Sequence, residues 1–272
     1  MNYQLICSDI DGTLLNKDRE LSPRTIQAFK KLSHIPTVLI SSRMPKAMTH
    51  LQAELDILSQ PLIAYNGGLI LTYENDQPNT LLSIEITIEI TQQILEFIQD
   101  TSIHMSLYHN DDWYVPAMDY WANREANNTK VQPTVANLKE VCANWKVQGI
   151  GPHKIMCMGP EEEMQRLADW LSAQHGNNVH SYRSKSTYIE IASKQISKLS
   201  ALSHLLAHKY EMDLASVIAF GDNYNDVEMI AGVGCGVAVA NAKDDVKAVA
   251  NRHTLGNKED GVAASLEEIF QL

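Results

Sequence analysis

Three short polar segments of this 272-residue chain could do chemistry together, because each follows an apolar run. Asp9-Ile10-Asp11-Gly12-Thr13 follows residues 4–8, Ser41-Ser42-Arg43 follows residues 37–40, and Gly221-Asp222-Asn223-Tyr224-Asn225-Asp226 follows residues 217–220. Short apolar runs that end in turn signals read as buried strands, and an open parallel sheet binds ligands beyond the carboxyl ends of its strands. If the three strands are neighbours, the carboxylates of Asp9, Asp11, Asp222 and Asp226 converge on one small volume. Carboxylates so crowded repel one another unless a cation sits among them. An all-oxygen donor set favours a hard ion such as Mg²⁺.

Each segment alone has a plainer reading. Asp9-x-Asp11 resembles the opening of a calcium loop, with Glu20 at the twelfth position, but Leu14 stands at the sixth, where that loop needs glycine. Gly221-Asp222 could be a turn and Asn225 a helix start. Its place after a buried strand, opposite a second acidic strand end, favours a site. Lys198, near a helix start, reads by itself as a solvated residue. The ten histidines form no metal-binding pair by spacing, and His104, His109 and His180 read as structural or surface groups.

The elements that must position these residues alternate at both ends of the chain. Ser22-Pro23 offers an N-cap and an N1 proline to a helix over residues 25–32, between the strands at 4–8 and 37–40. A helix over 47–58 leads to a strand at 61–65 that stops at Asn66-Gly67-Gly68, a hairpin turn signal. Helix and strand alternate again from residue 196 to 270. This pattern predicts an α/β fold, a Rossmann-like parallel-sheet core with helices on both faces. The middle breaks the alternation. It has helical patterns at 88–98 and 161–173, and strand patterns at 103–108, 113–115, 154–158, 179–182 and 187–191. It reads as an inserted α+β unit over residues 84–186, with residues 1–83 and 187–272 forming the core.

Hydrophobic residues make up 44% and charged residues 20%, values that suit a folded body throughout. A net charge of −11 and a pI near 5.3 argue against nucleic acid and anionic membrane as partners, since the mean field repels both. An anionic ligand therefore needs a local positive site. No apolar run approaches the roughly 20 residues that span a bilayer, and the first eight residues lack a signal-peptide pattern, so cytoplasm is expected. Cys7, Cys142, Cys157 and Cys235 show no CxxC spacing and read as reduced buried thiols.

Taken in order, Asp9-Ile10-Asp11-Gly12-Thr13-Leu14, Ser41 and Arg43, Asn66-Gly67-Gly68, Lys198, Gly221-Asp222-Asn223-Tyr224-Asn225-Asp226 and Asn241-Ala242 resemble the haloacid dehalogenase (HAD) superfamily, in its Cof-type phosphatase branch. The resemblance spans the chain, the inserted segment lying where that branch carries a cap domain. It implies a Mg²⁺-dependent phosphatase of small phosphorylated metabolites, such as sugar phosphates, pyridoxal phosphate or flavin mononucleotide, working through an aspartyl-phosphate. By this resemblance Asp9 is the nucleophile, and Asp11 protonates the leaving oxygen and then activates water. Mg²⁺ is held by Asp9, the backbone carbonyl of Asp11 and Asp222, with Asp226 as ligand or close neighbour. Ser41 and the Ser42 amide bind phosphate, Lys198 offsets charge, and Asn225 contacts phosphate or orients Lys198. A monomer or weak homodimer is expected. Many relatives have glycine where Ser42 and Leu199 stand, departures that remove no charged group. A receiver-like signalling domain, a non-catalytic sensor and a sugar phosphomutase are the competing readings. The inserted unit argues against the first, and the presence of both Asp9 and Asp11 against the second. Release of free phosphate rather than an isomerised sugar would separate hydrolase from mutase.

Overall fold

A computed structural model describes residues 3–75 and 77–272. The chain runs β1 (Leu5–Ser8), α1 (Pro23–Lys31), β2 (Thr37–Ile40), α2 (Thr49–Leu55), β3 (Leu62–Ala64), β4 (Leu69–Glu74) and β5 (Gln77–Ser83). There follow α3 (Ile88–Ile98), β6 (His104–His109), β7 (Asp112–Val115), α4 (Tyr120–Thr129), β8 (Thr134–Val135), α5 (Leu138–Gln148), β9 (Lys154–Met158), α6 (Glu161–His175), β10 (Val179–Lys185) and β11 (Tyr188–Ser193). The last stretch holds α7 (Lys198–Leu205), β12 (Val217–Gly221), α8 (Val227–Gly232), β13 (Cys235–Ala238), α9 (Asp244–Val249), β14 (Arg252–His253) and α10 (Gly261–Phe270).

Two compact units result, Met1–Leu82 with Ser197–Leu272, and Ser83–Ile196. The carboxyl border of the inserted unit thus falls at Ile196, ten residues beyond the 186 read from the sequence. The reason is pairing: β11 lies antiparallel between β10 and β9, so it cannot belong to the other sheet.

The first unit is built on an eight-stranded sheet in the order β14-β13-β12-β1-β2-β3-β4-β5. From β14 to β3 every pairing is parallel, and β4 turns antiparallel to β3. Every residue of β1, β2, β12 and β13 is buried, which is why these strands read as unbroken apolar runs rather than alternating ones. Helices cover both faces, α1 packing with α10 and α7 with α8. Local signals set the helix starts: Ser22 Oγ accepts from Thr25 N at 3.0 Å ahead of Pro23, and Ser197 caps α7 in a reciprocal box with Ser200. The single helix expected over 47–58 is a 3₁₀ turn at Pro45–Ala47 followed by α2.

The inserted unit has its own six-stranded sheet, β10-β11-β9-β6-β7-β8. One face alternates Met105 and Leu107 on β6 with Ile155 and Cys157 on β9, and buries them under Ile94 and Ile98 of α3, Val141 and Trp145 of α5, and Leu167 and Leu171 of α6. Each such side chain contributes about 1.5–3 kcal/mol by leaving water. Against the other face lies α4, through Trp121 edge-on to Tyr188 at 5.4 Å and Asp119 on His104 at 2.8 Å. Helices α4 and α5 were not read from the sequence. The first has no sustained apolar stripe. For the second the signal existed, in the Asn137 cap, the spacing of Leu138, Val141, Cys142 and Trp145, and Gly149 beyond its end. All four cysteines are free and buried, and among the described residues no helix is long and apolar enough to cross a membrane.

The turn after β3 is constrained both in its backbone conformation and in the space beside it. Gly67 has φ +111°, and a Cβ there would stand 2.7 Å from Ser197 O and 2.8 Å from Ala201 Cβ, so α7 packs directly onto the turn. Gly67→Ala should cost roughly 1–3 kcal/mol of stability, read as a lowered urea midpoint. An unchanged midpoint would show that this close approach is not needed for folding.

Candidate active site

Parallel pairing puts the carboxyl ends of β1, β2, β3 and β12 on one edge of the first sheet. The segments after them carry Asp9, Ser41, Asn66 and Asp222. Asp9 extends the ladder, its N–H donating to Phe220 O at 3.0 Å. The chain then turns at Gly12, with φ +88°, where a Cβ would meet Asp222 Oδ2 at 2.5 Å. No other residue both turns there and leaves room for that carboxylate. Thr13 Oγ1 donates to Asp222 Oδ1 at 2.9 Å, and Asn241 Nδ2 to Gly12 O at 2.7 Å.

At the centre lies Lys198, wholly buried at the start of α7. Its Nζ donates to Asp9 Oδ1 and to Asp226 Oδ1, both at 2.6 Å. The other Asp226 oxygen accepts from the amides of Asp222 and Asn223 at 2.9 and 3.0 Å. Both Asp226 oxygens are therefore committed to holding Lys198 and the turn after β12. Asp9, Asp222 and Asp226 each bring one oxygen within 4.8 Å of the others.

Three carboxylates share one ammonium here, which leaves two negative charges uncompensated if all ionise. Burial, then the Asp226 and Asp222 charges, push the Asp9 carboxyl upward against the pull of Lys198. Burial first and Asp226 next raise the Asp222 carboxyl to about 6. Lys198 is also pushed up, since burial opposes its charge but Asp226 and Asp9 outweigh that. A dipositive ion matches this deficit in charge and in donor type, so the residues present fit Mg²⁺.

The Asp11 carboxylate is turned out of that trio. Arg43 grips it with a fork, Nε to Oδ2 at 2.7 Å and Nη2 to Oδ1 at 2.8 Å, and Arg19 Nη2 reaches Oδ1 at 3.1 Å. Burial alone would raise this carboxyl, but the two guanidiniums hold it below its ordinary value. Arg43 Nη1 is tied to Ala47 O at 3.0 Å and its own N–H to Ser41 Oγ at 3.2 Å. Ser41 is buried and Ser42 half-buried beside it. Asn225 Nδ2 donates to Asn66 Oδ1 at 2.8 Å. Asn66 and the buried Tyr65 are both left-handed, at φ 59° and 55°. For a tyrosine this is a strained state that the surrounding bonds must impose.

Sequence reasoning did not assign roles to Arg43, Arg19, Asn66 or Thr13. Arg43 was visible as a position after the second strand. Arg19 stands in a loop with no periodic signal.

A family model described as haloacid dehalogenase-like hydrolase matches residues 6–266. A putative phosphatase of Haemophilus influenzae is 33% identical over 99% of both chains. The 5-amino-6-(5-phospho-D-ribitylamino)uracil phosphatase YitU of Bacillus subtilis is 29% identical over 98% of both, and an HMP-PP phosphatase of Yersinia pestis is 26% identical over 90% of this chain and 86% of that one. The structure superposes on a haloacid dehalogenase-like hydrolase of Bacteroides thetaiotaomicron with a TM-score of 0.87, at 28% identity over 99% of this chain and 100% of the other.

The Asp222 environment generates a pH test. Its folded pKa of about 6 lies above the ordinary carboxylate value, so the folded state binds this proton more tightly than the unfolded chain does. The resulting stabilisation is complete below about pH 4 and is lost as pH rises through about 6. In chelator, the urea midpoint should carry a component that falls with rising pH across this window and vanishes in Asp222→Asn. Identical profiles for the two proteins would contradict the raised pKa.

Proposed function

We propose a two-step phosphoryl transfer to water for this chain, which belongs to the haloacid dehalogenase-like hydrolase family and is a phosphatase of that type acting on phosphorylated small molecules. The observation that carries the reading is the buried Asp9 carboxylate, held at 2.6 Å by Lys198 within a carboxylate trio on the ligand-binding edge of a parallel sheet.

In the first step an Asp9 oxygen forms a bond to phosphorus while the bond to the ester oxygen breaks, and Asp11 supplies a proton to the departing alcohol. In the second, Asp11 takes a proton from water, whose oxygen attacks phosphorus and frees Asp9 and inorganic phosphate. Splitting the hydrolysis this way makes each barrier lower than the direct one. Lys198 orients the nucleophile and carries positive charge toward the phosphoryl oxygens. Asp226 holds Lys198 in place, and Ser41 and Ser42 line the phosphate position.

Asp9, Asp222 and the backbone carbonyl of Asp11 would hold Mg²⁺, with Asp226 beside them. Bound there, it would supply charge neutralisation between two like-charged partners, carboxylate and phosphate. The arginine grip on Asp11 favours its ionised form, which suits the base role directly. Protonation for the acid role requires Arg43 to loosen, and an arriving phosphate dianion can compete for that guanidinium.

The inserted unit, Ser83–Ile196, is read as a substrate-selecting cap, and the substrates as sugar phosphates, pyridoxal phosphate, flavin mononucleotide and similar esters. The Bacillus relative's name supports adding phosphorylated heterocycles to the panel to be screened.

Asp9→Asn should lower turnover by at least on the order of a thousandfold while circular dichroism and urea midpoint stay near those of the parent, because the amide is nearly isosteric but a poor nucleophile. Chelator should stop the parent enzyme, and excess Mg²⁺ should restore it. Asp11→Asn should slow hydrolysis severely, least for esters with good leaving groups. Parent-like turnover by Asp9→Asn, or trapped phosphate that resists hydroxylamine, would eliminate the aspartyl-phosphate route.

A further inference from the structure

The inserted unit holds a second convergence of metal-binding side chains, unrelated to the aspartates of the first. His109 ends β6 and His153 immediately precedes β9, its antiparallel neighbour. The pairing Tyr108↔Lys154, continued by His153 N–H to Tyr108 O at 2.8 Å, brings the two histidines together. Their rings lie 4.8 Å apart, tilted by 33°. Glu85 arrives from the segment that enters the unit, anchored by Ile86 N–H to Pro152 O at 2.8 Å. Gly151 permits this approach, since a Cβ there would stand 2.0 Å from Ile86 O.

The bonding pattern leaves a charge unanswered. Glu85 accepts from Gly151 N at 2.7 Å and Ser83 Oγ at 3.0 Å, and lies 3.8 Å from His109 Nδ1. These partners are neutral unless His109 is protonated, although only 22% of the Glu85 side chain is exposed and no lysine or arginine pairs with it among the described residues. His153 Nδ1 accepts from Asn110 N at 3.2 Å, so its ring proton sits on Nε2, which faces Ser83 Oγ at 3.0 Å. Burial, with His109 next, lowers the His153 pKa to about 3. His109 Nδ1 donates to Gly151 O at 2.8 Å, a contact of the kind that orients metal-ligating histidines from behind. A mostly buried carboxylate beside two imidazoles calls for a cation, and to take one His109 would give up the bond that its Nε2 accepts from Asn110 Nδ2 at 3.0 Å and His153 the one that its Nδ1 accepts from Asn110 N.

We propose that Glu85, His109 and His153 form a binding site for a borderline divalent transition metal, Zn²⁺ or an ion of similar preference. One donor atom from each lies within 4.8 Å of the others. A tetrahedral ion with ligands at about 2.0–2.2 Å sets its donors roughly 3.4 Å apart, a contraction within reach of small side-chain rotations. Imidazole donors separate this site chemically from the all-oxygen aspartate trio, which suits a hard ion. An ion here would tie the entering segment at Ser83–Ile86 to the β6–β7 turn and to the start of β9.

The test uses the full-length protein in excess Mg²⁺, titrated with Co²⁺ as a spectroscopic probe and then with Zn²⁺ in competition. The expected result is one equivalent of Co²⁺ with visible bands of nitrogen ligation, displaced by Zn²⁺ and accompanied by a higher melting temperature. Asp222→Asn should leave this binding unchanged, whereas Glu85→Gln should weaken it at least tenfold. Glu85→Gln keeps an acceptor for Gly151 N and a polar group for Ser83, so it should fold normally, and His109→Ala serves as a second ligand deletion. Binding that is lost in Asp222→Asn but intact in Glu85→Gln would assign the ion to the aspartates and overturn the proposal. So would the absence of nitrogen-ligated Co²⁺.

Discussion

The Lys198 ammonium, shared by Asp9 and Asp226 with no access to water, is the interaction on which the first unit depends. An ammonium and two carboxylates taken from water carry several kcal/mol of desolvation cost per ion, recovered only if every contact is short and every remaining oxygen has a donor. The structure meets that demand through Asp226, whose second oxygen caps the turn after β12 with two backbone amides. Lys198 in turn needs α7 to begin where it does, which the Ser197 cap and the packing of α7 on Gly67 ensure. One ion pair network thus ties β1, β12 and α7 to one edge of the sheet.

Around that centre the charges are sorted. Asp9 and Asp222 are pushed toward protonation by burial first and then by neighbouring carboxylates, whereas Asp11 has two guanidiniums and is held ionised. Two aspartates only two residues apart therefore sit in opposite electrostatic environments. Asp9 is short of a compensating cation, and Asp11 already has two. With an overall charge of −11, the three cations at this edge, Lys198, Arg43 and Arg19, already face the carboxylates of Asp9, Asp226, Asp11 and Asp222, so only an added cation would make the local field favour an anion.

The inserted unit follows different rules. Its mostly antiparallel sheet buries one face under α3, α5 and α6 and places polar and aromatic side chains on the other, so its strands alternate where those of the parallel sheet do not. Its histidines lie at strand ends and turns, where cross-strand register rather than sequence spacing decides which of them meet.

The strand ends, the Asp9-x-Asp11-Gly12 turn, the Ser22-Pro23 helix start and the break in alternation after residue 83 were legible in the sequence, because each is a local signal in hydrophobic period or turn chemistry. The α5 helix was legible too, in the spacing of Leu138, Val141, Cys142 and Trp145, and went unread. Other features could not be read. Nothing near Arg19 or Arg43 in sequence says that both will close on Asp11, nothing in Asn225 points to Asn66, and His109 and His153 are 44 residues apart in the chain but adjacent in space. The sequence by itself determined which residue types follow each buried strand. Only the tertiary structure decided which of them share charge, because Coulomb energy and desolvation depend on distance and burial, and both are set by the order and register of strands far apart in the chain.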